Sequence, residues 1–139
     1  MLFRSVTLSP PVTISLTPLS ATLTASQTQQ YTATVGGTSN GGVTWSLSPT
    51  VGTISAAGLY TAPATIAAAQ TMTVKATSVA DPTKSASATI TLTPPVTISL
   101  TPLSATLAGS QTQQYTATVG GTSNGGVTWT LNPDRKSVV

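Results

Sequence analysis

Apolar residues alternate with hydroxyl and amide residues along most of this chain. In Val12–Leu16 the apolar members are Val12, Ile14 and Leu16. In Gln29–Val35, Tyr31, Ala33 and Val35 alternate with Gln30, Thr32 and Thr34. The pattern returns with Val43, Trp45 and Leu47, with Met72, Val74 and Ala76, and with Ala86, Ala88, Ile90 and Leu92. A period of two predicts half-buried strands, and the frequent Val, Ile and Thr suit them. These signals place strands at Val12–Leu16, Ala21–Leu23, Gln29–Val35, Val43–Leu47, Val51–Ser55, Leu59–Thr61, Thr71–Ser78 and Ser85–Leu92. Pro18, the glycine-rich Gly36–Gly42, Ala57-Gly58, Pro63 and Ala80–Thr83 break them. Ala62–Gln70 is alanine-rich enough for one helical turn, but Pro63 and the flanking strands argue for a loop. No segment sustains a helical period. Short strands with turns every 8–12 residues predict an all-β, antiparallel sandwich. The shared parity predicts one core holding Tyr31, Val35, Val43, Trp45, Leu47, Val74, Ile90 and Leu92, because a one-residue slip would expose all of them.

The pattern also repeats over a longer distance. Val12–Pro18 recurs as Val96–Pro102, an offset of 84. Aligning 12–49 with 96–133 leaves four differences in 38 positions: Thr24/Ala108, Ala25/Gly109, Ser46/Thr130 and Ser48/Asn132. Upstream, Val6–Pro11 matches Ile90–Pro95. We therefore expect the last strand of one repeat and a linker in 6–11, a complete repeat in 12–93, a linker at Pro94-Pro95, and the first half of another repeat in 96–133. Paired prolines act as semi-rigid spacers, so such repeats are expected to form a rod. The half-repeat should not close by itself, and Trp129 should be more exposed than Trp45.

The two ends depart from this pattern. Asp134–Val139 holds three charged residues in a chain whose charged fraction is 5%. Leu2–Ser5 and Asp134–Val139 can be read back into codons that resemble the ends of a common sequencing-library adapter. The expectation is that 1–5 and 134–139 are adapter translation and that only 6–133 is biological. On that reading Met1 is not a native start, and the absence of a leader in Met1–Ser5 says nothing of location. A gene sequence with other codons at either end removes the idea.

Composition narrows the chemistry. Five Lys and Arg face two acidic residues, giving a formal charge of +3, but they are scattered. Nucleic-acid binding needs a clustered basic face, so none is expected. No apolar run reaches membrane-spanning length. The sequence contains no His and no Cys, and Asp81 and Asp134 are its only acidic residues. A nucleophile has no base to activate it, and two distant carboxylates cannot flank one bond. Zinc and calcium lack their usual donors. Neither enzyme activity nor a catalytic, metal or cofactor site is expected.

Four features still need weighing as sites. Trp45 could stack on a sugar, but an inward Trp more simply packs a sandwich core. Tyr60 adjoins Leu59, so one of the two faces outward, and an exposed Tyr60 could touch a glycan. Gly36–Gly42 lacks the lysine and strand–loop–helix setting of a phosphate loop and reads as a flexible connection. Asp81 reads as a turn residue.

Several stretches together resemble the bacterial Ig-like domain, group 2 type. They are Ile14–Pro18, Gln27–Val35, Val43–Ser46, Gly58–Thr61 and Ser85–Leu92. The resemblance covers Val12–Thr93 and, in its first half, Val96–Pro133; fibronectin type III repeats are similar in strand count. It implies an Ig-like Greek-key sandwich, no catalytic residues, an extracellular or bacterial cell-surface setting, and a role in spacing or adhesion. Two functions are carried forward. One is a non-catalytic spacer whose partners are neighbouring repeats of the same chain. The other is an adhesin-like or carbohydrate-binding module using loops or a strand edge on a cell-surface glycan or protein.

Overall fold

A computed structural model describes residues 8–132. The terminal segments 1–5 and 134–139 lie outside the described residues, as do Val6, Thr7 and Pro133. The described chain is all-β, with antiparallel and mixed sheets in an arrangement compatible with a β-sandwich. No helix long and apolar enough to cross a membrane occurs among the described residues. It divides into two compact units at Pro95/Val96.

The described residues of the first unit form nine strands: β1 (Thr13–Thr17), β2 (Ser20–Leu23), β3 (Thr28–Gln30), β4 (Thr32–Gly36), β5 (Val43–Ser48), β6 (Thr53–Ile54), β7 (Leu59–Thr61), β8 (Gln70–Ser78) and β9 (Ser85–Leu92). One sheet has the order β2-β9-β8-β5; β1 pairs with β4, and β3-β7-β6 form a third sheet. The strand expected at 29–35 is divided at Tyr31. On one side of it β3 pairs with β7, and on the other β4 pairs with β1. The Tyr31 N–H bridges the change by donating to the Gly58 carbonyl at 2.9 Å. Chain direction changes sheets at Pro18 without reversing. β2 runs parallel to β9, with Ser20 beside Thr89 and Leu23 beside Leu92.

Leu16, Leu23, Tyr31, Tyr60, Met72, Val74, Ala76, Ala88, Ile90 and Leu92 are buried between the sheets. The parity predicted for each strand is the parity observed. Four residues expected in the core are nonetheless only half-buried: Val35, Val43, Trp45 and Leu47. Three of them sit on β5, the outermost strand of its sheet, where one flank has no neighbour. Ala62–Ala69 is a loop, but it is anchored: Ile66 enters the core, and Ser26 N–H donates to the Pro63 carbonyl at 3.0 Å. Leu8–Pro11 carries no strand; an isolated strand has no ladder to join.

The ends of the first unit lie at opposite ends of its strands. Pro11 and Val12 adjoin Gly37, and the same loop reaches Val79, whose N–H donates to the Gly42 carbonyl at 2.9 Å. Thr93 lies at the other end, donating its N–H to the Leu23 carbonyl at 2.9 Å. β9 alone, eight residues long, spans about 25 Å.

The described residues of the second unit form two strands, β10 (Thr97–Thr101) and β11 (Thr116–Gly120). They pair antiparallel from Thr97↔Gly120 to Thr101↔Thr116, the register of β1 and β4 moved by 84 residues. The counterparts of β2, β3 and β5 are not strands here, and partner location explains why. In the first unit β2 pairs with β9, β3 with β7 and β5 with β8. The described residues of the second unit include no copy of those partners, whereas β10 and β11 need only each other. Its apolar side chains are correspondingly open: Ile98 is 69% exposed and Trp129 57% exposed.

Candidate functional site

A cleft of the first unit lined by apolar and aromatic atoms lies where two unpaired strand edges meet. Val43, Thr44 and Trp45 of β5 line one side, and Ile54, Ser55 and Ala56 the other, around about 280 Å³. β5 and β6 are each the outermost strand of a sheet. The floor of this cleft depends on a turn. Ser55–Gly58 reverses the chain between β6 and β7, with Gly58 N–H donating to the Ser55 carbonyl at 2.9 Å. The turn requires a positive φ, +83° at Gly58, which glycine adopts without penalty. The missing side chain also makes room for Trp45, whose Cζ2 would lie 2.7 Å from a Cβ at Gly58.

Trp45 is therefore neither a fully buried core residue nor a projecting platform. It packs against the core with one flank at the cleft, and its Nε1 is buried with no protein partner among the described residues. Tyr60 is the inward member of its pair, fully buried, while Leu59 faces out at 40% exposure. That removes Tyr60 as a surface glycan contact. Its hydroxyl donates to the Val51 carbonyl at 3.0 Å and lies 3.2 Å from Met72 Sδ. The sequence signal that could have decided this was the turn: with Gly58 closing it, Tyr60 falls opposite Gln29 and Ile54 in the ladders.

The glycine-rich loop is more built than a flexible connection. Asn40 N–H donates to Thr38 Oγ1 at 3.1 Å, and Gly42 N–H to Asn40 Oδ1 at 3.0 Å. The same two bonds recur at Thr122, Asn124 and Gly126 in the second unit. The loop is thus encoded locally, and two amides that an anion would need are already occupied. Asp81 is occupied too. Its Oδ1 accepts from Thr83 Oγ1 at 2.7 Å and Thr83 N–H at 3.0 Å. Those bonds, with nearby Lys84, hold its carboxyl below the usual range. Asp134 lies outside the described residues. No group of three or more metal-ligating side chains occurs among the described residues.

Tyr31 and Tyr60 share the core, and burial pushes both phenols above the usual tyrosine range; for Tyr31 the neighbouring Tyr60 adds to the shift. A folded-state pKa above the unfolded one contributes stability that is complete below pH ~10 and is lost as pH rises through the folded value. We expect thermal midpoints to fall above pH ~10 and the fall to be shallower in Tyr31→Phe. The Tyr31 hydroxyl has no partner among the described residues. Its removal should therefore be neutral or stabilising at pH 7, by up to about 1–3 kcal/mol. Melts of both proteins from pH 7 to 11 check both points; a destabilised Tyr31→Phe at pH 7 contradicts them.

No protein-family model and no curated protein matches the chain.

Proposed function

We propose that this chain is a non-catalytic spacer of a bacterial surface or secreted protein, built from Ig-like Greek-key repeats. The observation that carries the reading is the position of the chain ends. The first unit takes the chain in beside Gly37 and releases it beside Leu23, at the far end of β9. The chain therefore traverses about a strand length between entering and leaving the unit, which suits a spacer. The burial of Tyr31 and Tyr60, and the packing of Trp45 against the core, leave no row of projecting aromatic rings among the described residues of the first unit. The Ig-like assignment is supported by the switch of sheets at Pro18 and by parallel β2–β9 pairing at a sheet edge. Inserting one, two and three further copies of residues 12–95 tests the function. The maximum dimension in small-angle scattering should rise by a constant step of at least ~25 Å per copy. A maximum dimension that stays flat as copies are added refutes the spacer reading.

The cleft at Trp45 favours a second reading, an adhesin-like or carbohydrate-binding module. It predicts saturable quenching of Trp45 fluorescence by oligosaccharides in a Trp129→Phe background. Absence of quenching across a broad glycan panel removes that reading.

A further inference from the structure

We infer that Asn40 is a self-modifying site, whose side-chain amide is converted to aspartate and isoaspartate by the chain's own backbone and water. Asn40 is followed by Gly41 and Gly42 in the loop between β4 and β5. Three features of that loop meet the needs of the reaction. First, the reacting groups are held together. Gly42 N–H donates to Asn40 Oδ1 at 3.0 Å, which folds the side-chain amide forward over the Asn40–Gly41 peptide, as in other Asx turns. The nitrogen of that peptide is the nucleophile. Asn40 N–H donates to Thr38 Oγ1 at 3.1 Å, so the residue is fixed from the other side as well. Second, the oxygen that gains negative charge during attack already faces a donor, the Gly42 N–H, and a preset donor favours the charged intermediate. Third, nothing blocks the approach. Asn40 and Gly41 are exposed, and a Cβ at Gly41 would meet nothing within 4 Å.

The Gly41 nitrogen gives up its proton and attacks Asn40 Cγ. A C–N bond forms, the bond from Cγ to the side-chain nitrogen breaks, and ammonia leaves with the proton. Water then opens the resulting imide ring at either carbonyl. The ring nitrogen regains a proton, and the new carboxyl group releases one to solvent. Opening at Cγ gives aspartate. Opening at the main-chain carbonyl gives isoaspartate, whose backbone runs through Cβ and is one atom longer. Either product adds a carboxylate to a loop that has none. The charged side chains of 12–93 are Lys75, Lys84 and Asp81, so two cations against one anion become two against two. The extra backbone atom falls between Thr38 and the Gly42 carbonyl, the loop's anchor to Val79 N–H at 2.9 Å. The same Thr-Ser-Asn-Gly-Gly stretch recurs at 122–126 with both hydrogen bonds, so Asn124 should react too. Asn132 precedes Pro133, whose nitrogen has no proton to lose, and is an internal control.

The test holds the full chain at physiological temperature in neutral to mildly alkaline buffer. Samples are digested with an acid protease, and fragmentation mass spectrometry separates isoaspartate from aspartate. Asn40 and Asn124 should become a mixture of the two, at a rate that rises in proportion to hydroxide, while Asn132 keeps its amide. A free peptide of residues 36–44 sets the unrestrained rate. Asn40 in the folded chain should react within about tenfold of it, which places the loop within ~1.4 kcal/mol of a reactive geometry. Gly41→Ala should slow Asn40 by about tenfold or more, because the methyl crowds the attacking nitrogen, and leave Asn124 unchanged. Circular dichroism melts verify that each sample is folded. Three results would overturn the inference: Asn40 reacting more than tenfold slower than the peptide; aspartate forming without isoaspartate; or Gly41→Ala reacting as fast as the wild type. Neither outcome bears on the spacer reading, which rests on the chain ends of the first unit.

Discussion

Gly58→Val should destabilise the first unit by about 2–5 kcal/mol, adding left-handed strain of ~1–2 to overpacking of ~1–3. Two independent obstacles meet at this position. Its φ of +83° suits glycine and penalises a β-branched residue. A Cβ there would also lie 2.5 Å from the Tyr31 carbonyl oxygen and 2.7 Å from Trp45 Cζ2. Neither neighbour can yield freely. Tyr31 is held by its N–H bond to the Gly58 carbonyl, and Trp45 is wedged against the core. Small domains are stable by only about 5–15 kcal/mol, so a large part of the unit could be unfolded at ambient temperature. Gly41→Ala is the control: a Cβ there meets nothing within 4 Å, and the change should stay within about 0.5 kcal/mol. Urea unfolding of the two variants decides the matter. Equal midpoints would show that the Ser55–Gly58 turn does not hold β7 under Trp45.

Trp45→Ala and Trp129→Ala should differ sharply, although the two tryptophans sit in nearly identical local sequence. Trp45 is packed against the core and spans Gly58, so its removal leaves a void beside Tyr31 and Ile54. We expect a loss of about 3 kcal/mol, the low end for aromatic-to-alanine changes, because the ring is half-buried. That lowers the thermal midpoint by more than ~10 °C. Trp129 is 57% exposed, and its removal should change the main transition by less than about 0.5 kcal/mol. Calorimetric melts of the two variants check the contrast. Similar losses at both sites would mean that the second unit is packed as closely as the first.

The contrast between the two units also shows what could be read from sequence and what could not. Strand positions and inward faces followed from alternation, because a pleated strand allows only two parities. Tyr31, Val74, Ile90 and Leu92 all fall where that logic placed them. Depth of burial did not follow, because it depends on which strand has neighbours on both sides. Val43, Trp45 and Leu47 carry an inward pattern on an edge strand and stop half-way. Ile66 escaped notice for the opposite reason: it is buried from a loop, where no period marks it. Its one signal was being the only large apolar side chain in Ala62–Gln70. Tyr60 and Leu59 were undecidable until the turn at Gly58 fixed their phase. The cleft at Trp45 was not legible, because it arises only when β5 and β6 come together.

The parallel alignment of β2 with β9 determines how the first unit would respond to being stretched. The chain comes in along β1 and β2 and leaves along β9, so traction on the two termini drives β2 and β9 past each other in opposite directions. The hydrogen bonds between Ser20–Leu23 and Thr89–Leu92 lie across that motion and strain together. A hairpin such as β8–β9, pulled apart from its open end, would instead lose its bonds one at a time. The apolar contacts of Leu23 and Leu92, both buried, fall inside the same sheared patch. Resistance to extension therefore falls on the β1–β4 ladder at the chain's entry and on these four parallel pairs at its exit, both loaded along the strands.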